Sequence, residues 1–94
     1  MLRISIITDS DSTIRILLEG SLTGPWVGEL RRLSEKALED SKAVVLDLEK
    51  VRYVDLEGVA LLRDLSQKSV AQQNCSAFIR QQILEGTYDK SDEY

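Results

Sequence analysis

The chain has no histidine, one cysteine and one proline in 94 residues. Without histidine it lacks the usual general base at neutral pH and the commonest ligand for a transition metal. A lone thiol, Cys75, cannot form an intrachain disulfide. No run approaches the ~20 apolar residues that a membrane-spanning helix needs. The opening Met1-Leu-Arg-Ile-Ser-Ile6 turns at once into alternating strand, with no long apolar signal core. No basic cluster stands out against a net charge of −4, which makes nucleic acid and anionic membrane poor partners. These absences point to a soluble, cytoplasmic domain that does not insert into a membrane. They also point to no catalytic residues, no metal site and no cofactor.

What is present suits one small core, because 43% of the residues are apolar. Leu2, Ile4 and Ile6 alternate with Arg3, Ser5 and Ile7, and Ile14, Ile16 and Leu18 alternate with Arg15, Leu17 and Glu19. Two such period-2 segments around the polar Asp9–Ser12 turn predict an antiparallel hairpin. Gly20–Pro25 reads as a loop. From Pro25, an apolar stripe of Trp26, Val27, Leu30, Leu33, Ala37 and Leu38 at helical spacing predicts a helix. Lys42–Leu48 is the most apolar strand, and the strand–helix–strand order asks for a parallel crossover. A second helix is expected over Leu56–Lys68, with Val59, Leu62 and Leu65 inward, and a short strand over Val70–Gln73. Ser76 can cap a last helix with Phe78, Ile79 and Ile83 inward. The expectation is an α/β domain over residues 1–86, with a small four-stranded mixed sheet, helices mainly on one face, and the order β-β-α-β-α-β-α. The acidic tail 87–94 is expected to be frayed.

The stretch Val51-Arg-Tyr-Val-Asp-Leu-Glu-Gly-Val-Ala-Leu-Leu62 is the most informative in the chain. Asp55 falls at a helix N-cap and Gly58 in the first turn, so a strand end empties onto an exposed helix start. Open α/β sheets place ligands and partners at such points. Capping accounts for Asp55. Glycine inside a helix is disfavoured by ~1 kcal/mol against alanine, so Gly58 implies close approach of another backbone, either within the fold or from a partner. Asp47, Glu49, Asp55 and Glu57 lie near one strand end, but acidic residues suit helix starts, and acid–base or cation chemistry is the weaker reading. Cys75, beside Phe78, reads as a core group before a reactive thiol. Trp26 reads as core. Tyr53, in the loop before Asp55, is the better interface candidate. Ser21 and Thr23, in the loop after the second strand, are placed to join the same rim.

Four segments together resemble a STAS domain, the module of sulphate transporters and anti-sigma factor antagonists. They are Leu18-Glu-Gly-Ser-Leu-Thr-Gly-Pro-Trp26, Val44-Val-Leu-Asp-Leu48, Val54-Asp-Leu-Glu-Gly-Val-Ala-Leu-Leu62 and Asn74-Cys-Ser-Ala-Phe-Ile79. In the antagonists that this resembles, the signature turn reads Asp-Ser-Ser/Thr-Gly, and a kinase-like anti-sigma factor phosphorylates the hydroxyl residue before the glycine. Asp55 and Gly58 match that turn, Leu56 takes the first hydroxyl position, and Glu57 takes the phosphorylated one. Phosphorylation at this site is therefore not expected. Glu57 either imitates the phosphate or stabilises the helix start, where a carboxylate contributes ~0.3–1 kcal/mol; the second reading leads.

The resemblance implies a non-catalytic signalling module in a bacterium. Its partner would be an anti-sigma factor or kinase-like regulator of transcription, bound through Tyr53, Asp55, Leu56, Glu57 and Gly58, with Arg63 and Asp64 on the following helix and Ser21 and Thr23 on the rim. An alternative is a cytosolic accessory subunit of a lipid-trafficking ABC transporter. A nucleotide binder is a third reading, although no Gly-rich phosphate loop is present. Identity of the partner and formation of a homodimer are left open by the sequence.

Overall fold

The computed structural model describes residues 1–83. Its order is β1 (Leu2–Asp9), β2 (Thr13–Leu22), α1 (Pro25–Glu39), β3 (Ala43–Val54), α2 (Leu56–Gln67) and β4 (Ala71–Gln73), followed by a third helix, α3, described over 77–83. The strands form one mixed sheet in the order β1-β2-β3-β4. β1 and β2 are antiparallel, whereas β2–β3 and β3–β4 are parallel. The expected α/β architecture is therefore present. The expected tail 87–94 lies outside the described residues.

Alternation decides which face is buried. Ile14, Ile16 and Leu18 of β2, with Val44, Leu46 and Leu48 of β3, lie at most 4% exposed beneath the helices. α1 adds Val27, Leu30 and Ala37, and α2 adds Val59, Leu61, Leu62 and Leu65. Fully burying one such side chain contributes roughly 1.5–3 kcal/mol, so this single layer is the main source of stability. Pro25, with its fixed φ, starts α1. Ser76 Oγ accepts the Ile79 amide at the start of α3, as expected.

α1 and α2 end alike without glycine. Ser41 (φ 61) and Ser69 (φ 70) take the left-handed conformation beyond each helix. The Lys42 amide then donates to the Ala37 carbonyl, and the Val70 amide to that of Leu65. Both are Schellman closures, which usually carry glycine.

Three expectations need correction. β2 runs on to Leu22 and β3 to Val54, so Ser21 and Tyr53 are strand residues, not loop residues. Register shifts beside Leu17/Glu19 and Gly20/Ser21 lengthen β3 relative to β2. Bulges of this kind hide the period-2 pattern after Leu48. Phe78 does not point inward; it is 65% exposed, while Ile79 is buried and Ile83 packs against the core. Ile6 faces the helix side opposite Ile16, yet it remains 49% exposed because β1 is the sheet edge.

Candidate functional site

β2 and β3 run parallel and finish together, so the loops that follow them share one end of the sheet. Ser21 lies opposite Tyr53 and Leu22 opposite Val54. The two chains separate at Thr23 and Asp55. Asp55 is extended and caps α2: its Oδ1 accepts the Gly58 amide at 2.8 Å. Its Oδ2 accepts the Gly24 amide at 3.0 Å, and its own amide donates to the Leu22 carbonyl at 3.2 Å. One carboxylate therefore caps α2 and anchors the loop that begins α1. Both its oxygens are committed inside the protein.

Gly58 is buried. A Cβ there would come 2.6 Å from Val54 Cγ1 and 2.7 Å from the Leu22 carbonyl oxygen. Of the two readings open from the sequence, close approach within the fold accounts for this glycine. It lets α2 begin directly against the ends of β2 and β3.

The residues around this latch are the outward-facing ones. Leu56 is 88% exposed and Tyr53 51% exposed. Glu57 is exposed on the first turn of α2 and makes no ion pair with any described residue. Ser21 and Thr23 are half-buried beside them. Along α2, Ala60, Arg63 and Gln67 continue the stripe begun by Leu56, at the helical repeat. Asp64 lies on the neighbouring stripe and turns to α1, where its carboxylate meets Arg31 at 3.0 Å and Lys68 at 3.5 Å. The Arg31 hydrogen bond, helped by Lys68, holds that carboxyl below its ordinary range. Glu35 joins the group through Arg31 and Lys68. Sequence reasoning missed Met1, whose carbonyl accepts the Ser21 amide and whose side chain is 88% exposed in the same row as Ser21 and Tyr53. The register of β1 on β2 was the signal, and the sequence does not state that register.

The four carboxylates do not converge. Asp47 belongs to the sheet face away from the helices, where it meets Arg15 at 3.2 Å, the Asn74 amide at 3.1 Å and the Glu49 backbone amide at 3.1 Å. The Asn74 bond, then the Glu49 amide, lowers its carboxyl from the ordinary value. Among the described residues no three acidic or thiol groups are grouped to hold a metal ion. No described helix is long and apolar enough to cross a membrane. Cys75 is half-buried against the core, and burial raises its thiol, which disfavours the reactive thiolate. The end of the sheet thus exposes Leu56 and Tyr53 beside the Glu57 carboxylate.

A family model described as Mlab, STAS domain, matches residues 7–81. Among solved structures, the anti-sigma factor antagonist SpoIIAA in its unphosphorylated form superposes with a TM-score of 0.71 at 16% identity, covering 98% of this chain and all of that one. A protein of SpoIIAA-like fold from Shewanella loihica gives 0.56 at 17% identity, covering 94% of this chain and 78% of that one. At such identities the likeness is one of fold. No curated protein matches the sequence.

Proposed function

The chain belongs to the Mlab-type STAS domain family, and on that footing we propose that it is a non-catalytic docking module resembling an anti-sigma factor antagonist. Its contact surface is centred on Tyr53, Leu56 and Glu57, flanked by Ser21, Thr23 and Arg63. The single observation behind this reading is Leu56, 88% exposed on the first turn of a helix whose start is fixed by Asp55. A leucine so exposed loses apolar stabilisation in the free protein and regains it against a partner. Asp55 and Gly58 belong to the internal frame of that surface, and Asp64 to the bracing of α2 on α1.

Glu57 stands where the antagonists carry a phosphorylated hydroxyl, and it cannot accept phosphate there. A fixed charge suits a permanently engaged subunit better than a switch. This favours, as the second reading, the cytosolic accessory subunit of a lipid-trafficking ABC transporter.

Affinity capture from the native host, with wild-type protein beside Leu56→Lys, separates the two. A kinase-like anti-sigma factor retained by wild type and lost from Leu56→Lys supports the antagonist reading. A transporter ATPase with the same dependence supports the subunit reading. Equal capture by both proteins would remove the surface from consideration. Gly58 is a poor probe, since any side chain there disturbs the fold before it reaches a partner.

A further inference from the structure

β1 is an edge strand, and its free edge can be assigned residue by residue. The Ser21 amide donates to the Met1 carbonyl at 2.9 Å, and the register continues as Arg3 opposite Glu19 and Ser5 opposite Leu17. In an antiparallel ladder, hydrogen-bonded pairs alternate with pairs whose polar groups point away. Arg3 and Ser5 therefore bond to β2. Ile4 and Ile6 direct their N–H and C=O groups outward, towards an edge with no described strand beside it. The usual protections of such an edge are few, because β1 contains neither proline nor lysine, and its bulge comes only after Ile6.

The same edge is apolar on the helix side. A groove of about 340 Å³ between β1 and α1 is lined by Ile4, Leu33, Glu29, Arg32 and Lys36. A smaller hollow of about 120 Å³ continues it past Ile6 and Leu33. Ile6 and Ile7 are 49% and 56% exposed.

We infer that the β1 edge pairs with β1 of a second copy of this chain, antiparallel about a two-fold axis at Ser5. The axis sets Ile4 of one copy opposite Ile6 of the other. Both residues carry outward polar groups, so both pairs can exchange N–H···O=C bonds, and their side chains enter the groove under α1. Beyond these pairs Arg3, which has no ion pair among the described residues, comes opposite Ile7 of the second copy, the exposed residue at which β1 bulges from β2. Charge agrees with a two-fold. On the flank of α1 beside the groove, Glu29 is bonded to Arg32 of its own helix at 3.0 Å and Lys36 makes no ion pair with a described residue, so the axis turns the Lys36 end of one helix towards the Glu29 end of the other. A ladder of five residues on each copy, Arg3 to Ile7, buries less than a standard interface, so the dimer is weak. The surface is separate from the Leu56 site.

Sedimentation equilibrium over roughly 10 µM to 1 mM, with amide exchange at both ends of that range, tests the pairing. The expected result is a monomer–dimer equilibrium in which the Ile4 and Ile6 amides gain protection with concentration, while those of Arg3 and Ser5 are protected throughout. Ile7→Glu, placed opposite Arg3, should tighten the dimer, and Ile7→Lys should weaken it by about tenfold. Leu56→Lys should leave it unchanged. A monomer at every concentration overturns the proposal, even if the edge takes up a strand from another protein. So does a dimer that gives no protection at Ile4 and Ile6 or responds alike to both Ile7 variants.

Discussion

Gly58 shows how a residue legible in the sequence can carry its meaning elsewhere. The helical spacing after Asp55 marks a glycine that propensity alone disfavours. Only the fold supplies the reason, which is the Leu22 carbonyl and Val54 lying where a Cβ would go. Alanine would gain ~1 kcal/mol of helix propensity. It would also force a backbone carbonyl to move, and overpacking of this kind costs roughly 1–3 kcal/mol. Urea denaturation of Gly58→Ala should therefore show a net loss of stability, and a gain would mean that α2 shifts freely on the sheet. Asp55 divides differently. Its cap was readable from position, whereas its bond to Gly24 was not, because that loop is distant in sequence. Asp55→Ala should lose the cap, at about 0.5–2 kcal/mol, and leave the Gly24 amide without its acceptor. Asp55→Ser keeps an oxygen for the Gly58 amide but does not span to Gly24. Amide exchange should then accelerate at Gly24 in both variants, and at Gly58 only in Asp55→Ala.

At the scale of elements, periodicity revealed what propensity left ambiguous. The β1–β2 hairpin, the α1 stripe and the buried face of β3 all follow from alternation or from helical spacing. The second half of β3 did not, because its register shifts interrupt the alternation between Leu48 and Val54, and the stretch reads as a loop. Tyr53 thereby moved from a loop to a strand without losing its exposure. Phe78 was misplaced because Ile79 and Ile83, four apart, set the inward face of α3, and Phe78 lies about 100° round the helix from Ile79. The helix ends were harder still, since the usual signal is glycine and both closures use serine. A side chain in the left-handed region carries a cost of about 1–2 kcal/mol. Ser41→Gly and Ser69→Gly should each raise stability, by about 0.5–1 kcal/mol once the extra freedom of glycine in the unfolded chain is counted. Thermal unfolding of the single and double variants checks this. The two sites lie at separate helix ends, so the gains should add.

Across the whole molecule, two sets of polar contacts hold the layers in register on opposite sides of the core. Above the sheet, Arg31, Glu35, Asp64 and Lys68 join α1 to α2. These side chains are about two-fifths exposed, and such pairs are worth little each and weaken with salt. Below it, Arg15 of β2 bonds to Asp47 of β3 and to Gln73 of β4, and Asn74 closes back onto Asp47. The Asp47 side chain is only 14% exposed, so this network is the better screened from solvent and the more informative under acid. Its carboxyl titrates below its ordinary value in the folded protein, chiefly because Asn74 and the Glu49 amide bond to the charged form. The sign follows from linkage. The unfolded chain takes up this proton first, so the contribution of Asp47 is fully present above about pH 4 and is lost as pH falls through the lower folded value. Asn74→Ala removes the leading donor and should cost about 1 kcal/mol near neutrality. The gap between wild type and variant should narrow as pH falls below 4, when the carboxyl becomes protonated in both states. A gap independent of pH would show that Asn74 acts only through its left-handed turn (φ 59), where alanine is strained. Asn74→Gly separates the two, since it frees the turn but still lacks the amide, and it should keep the pH-dependent part of the loss.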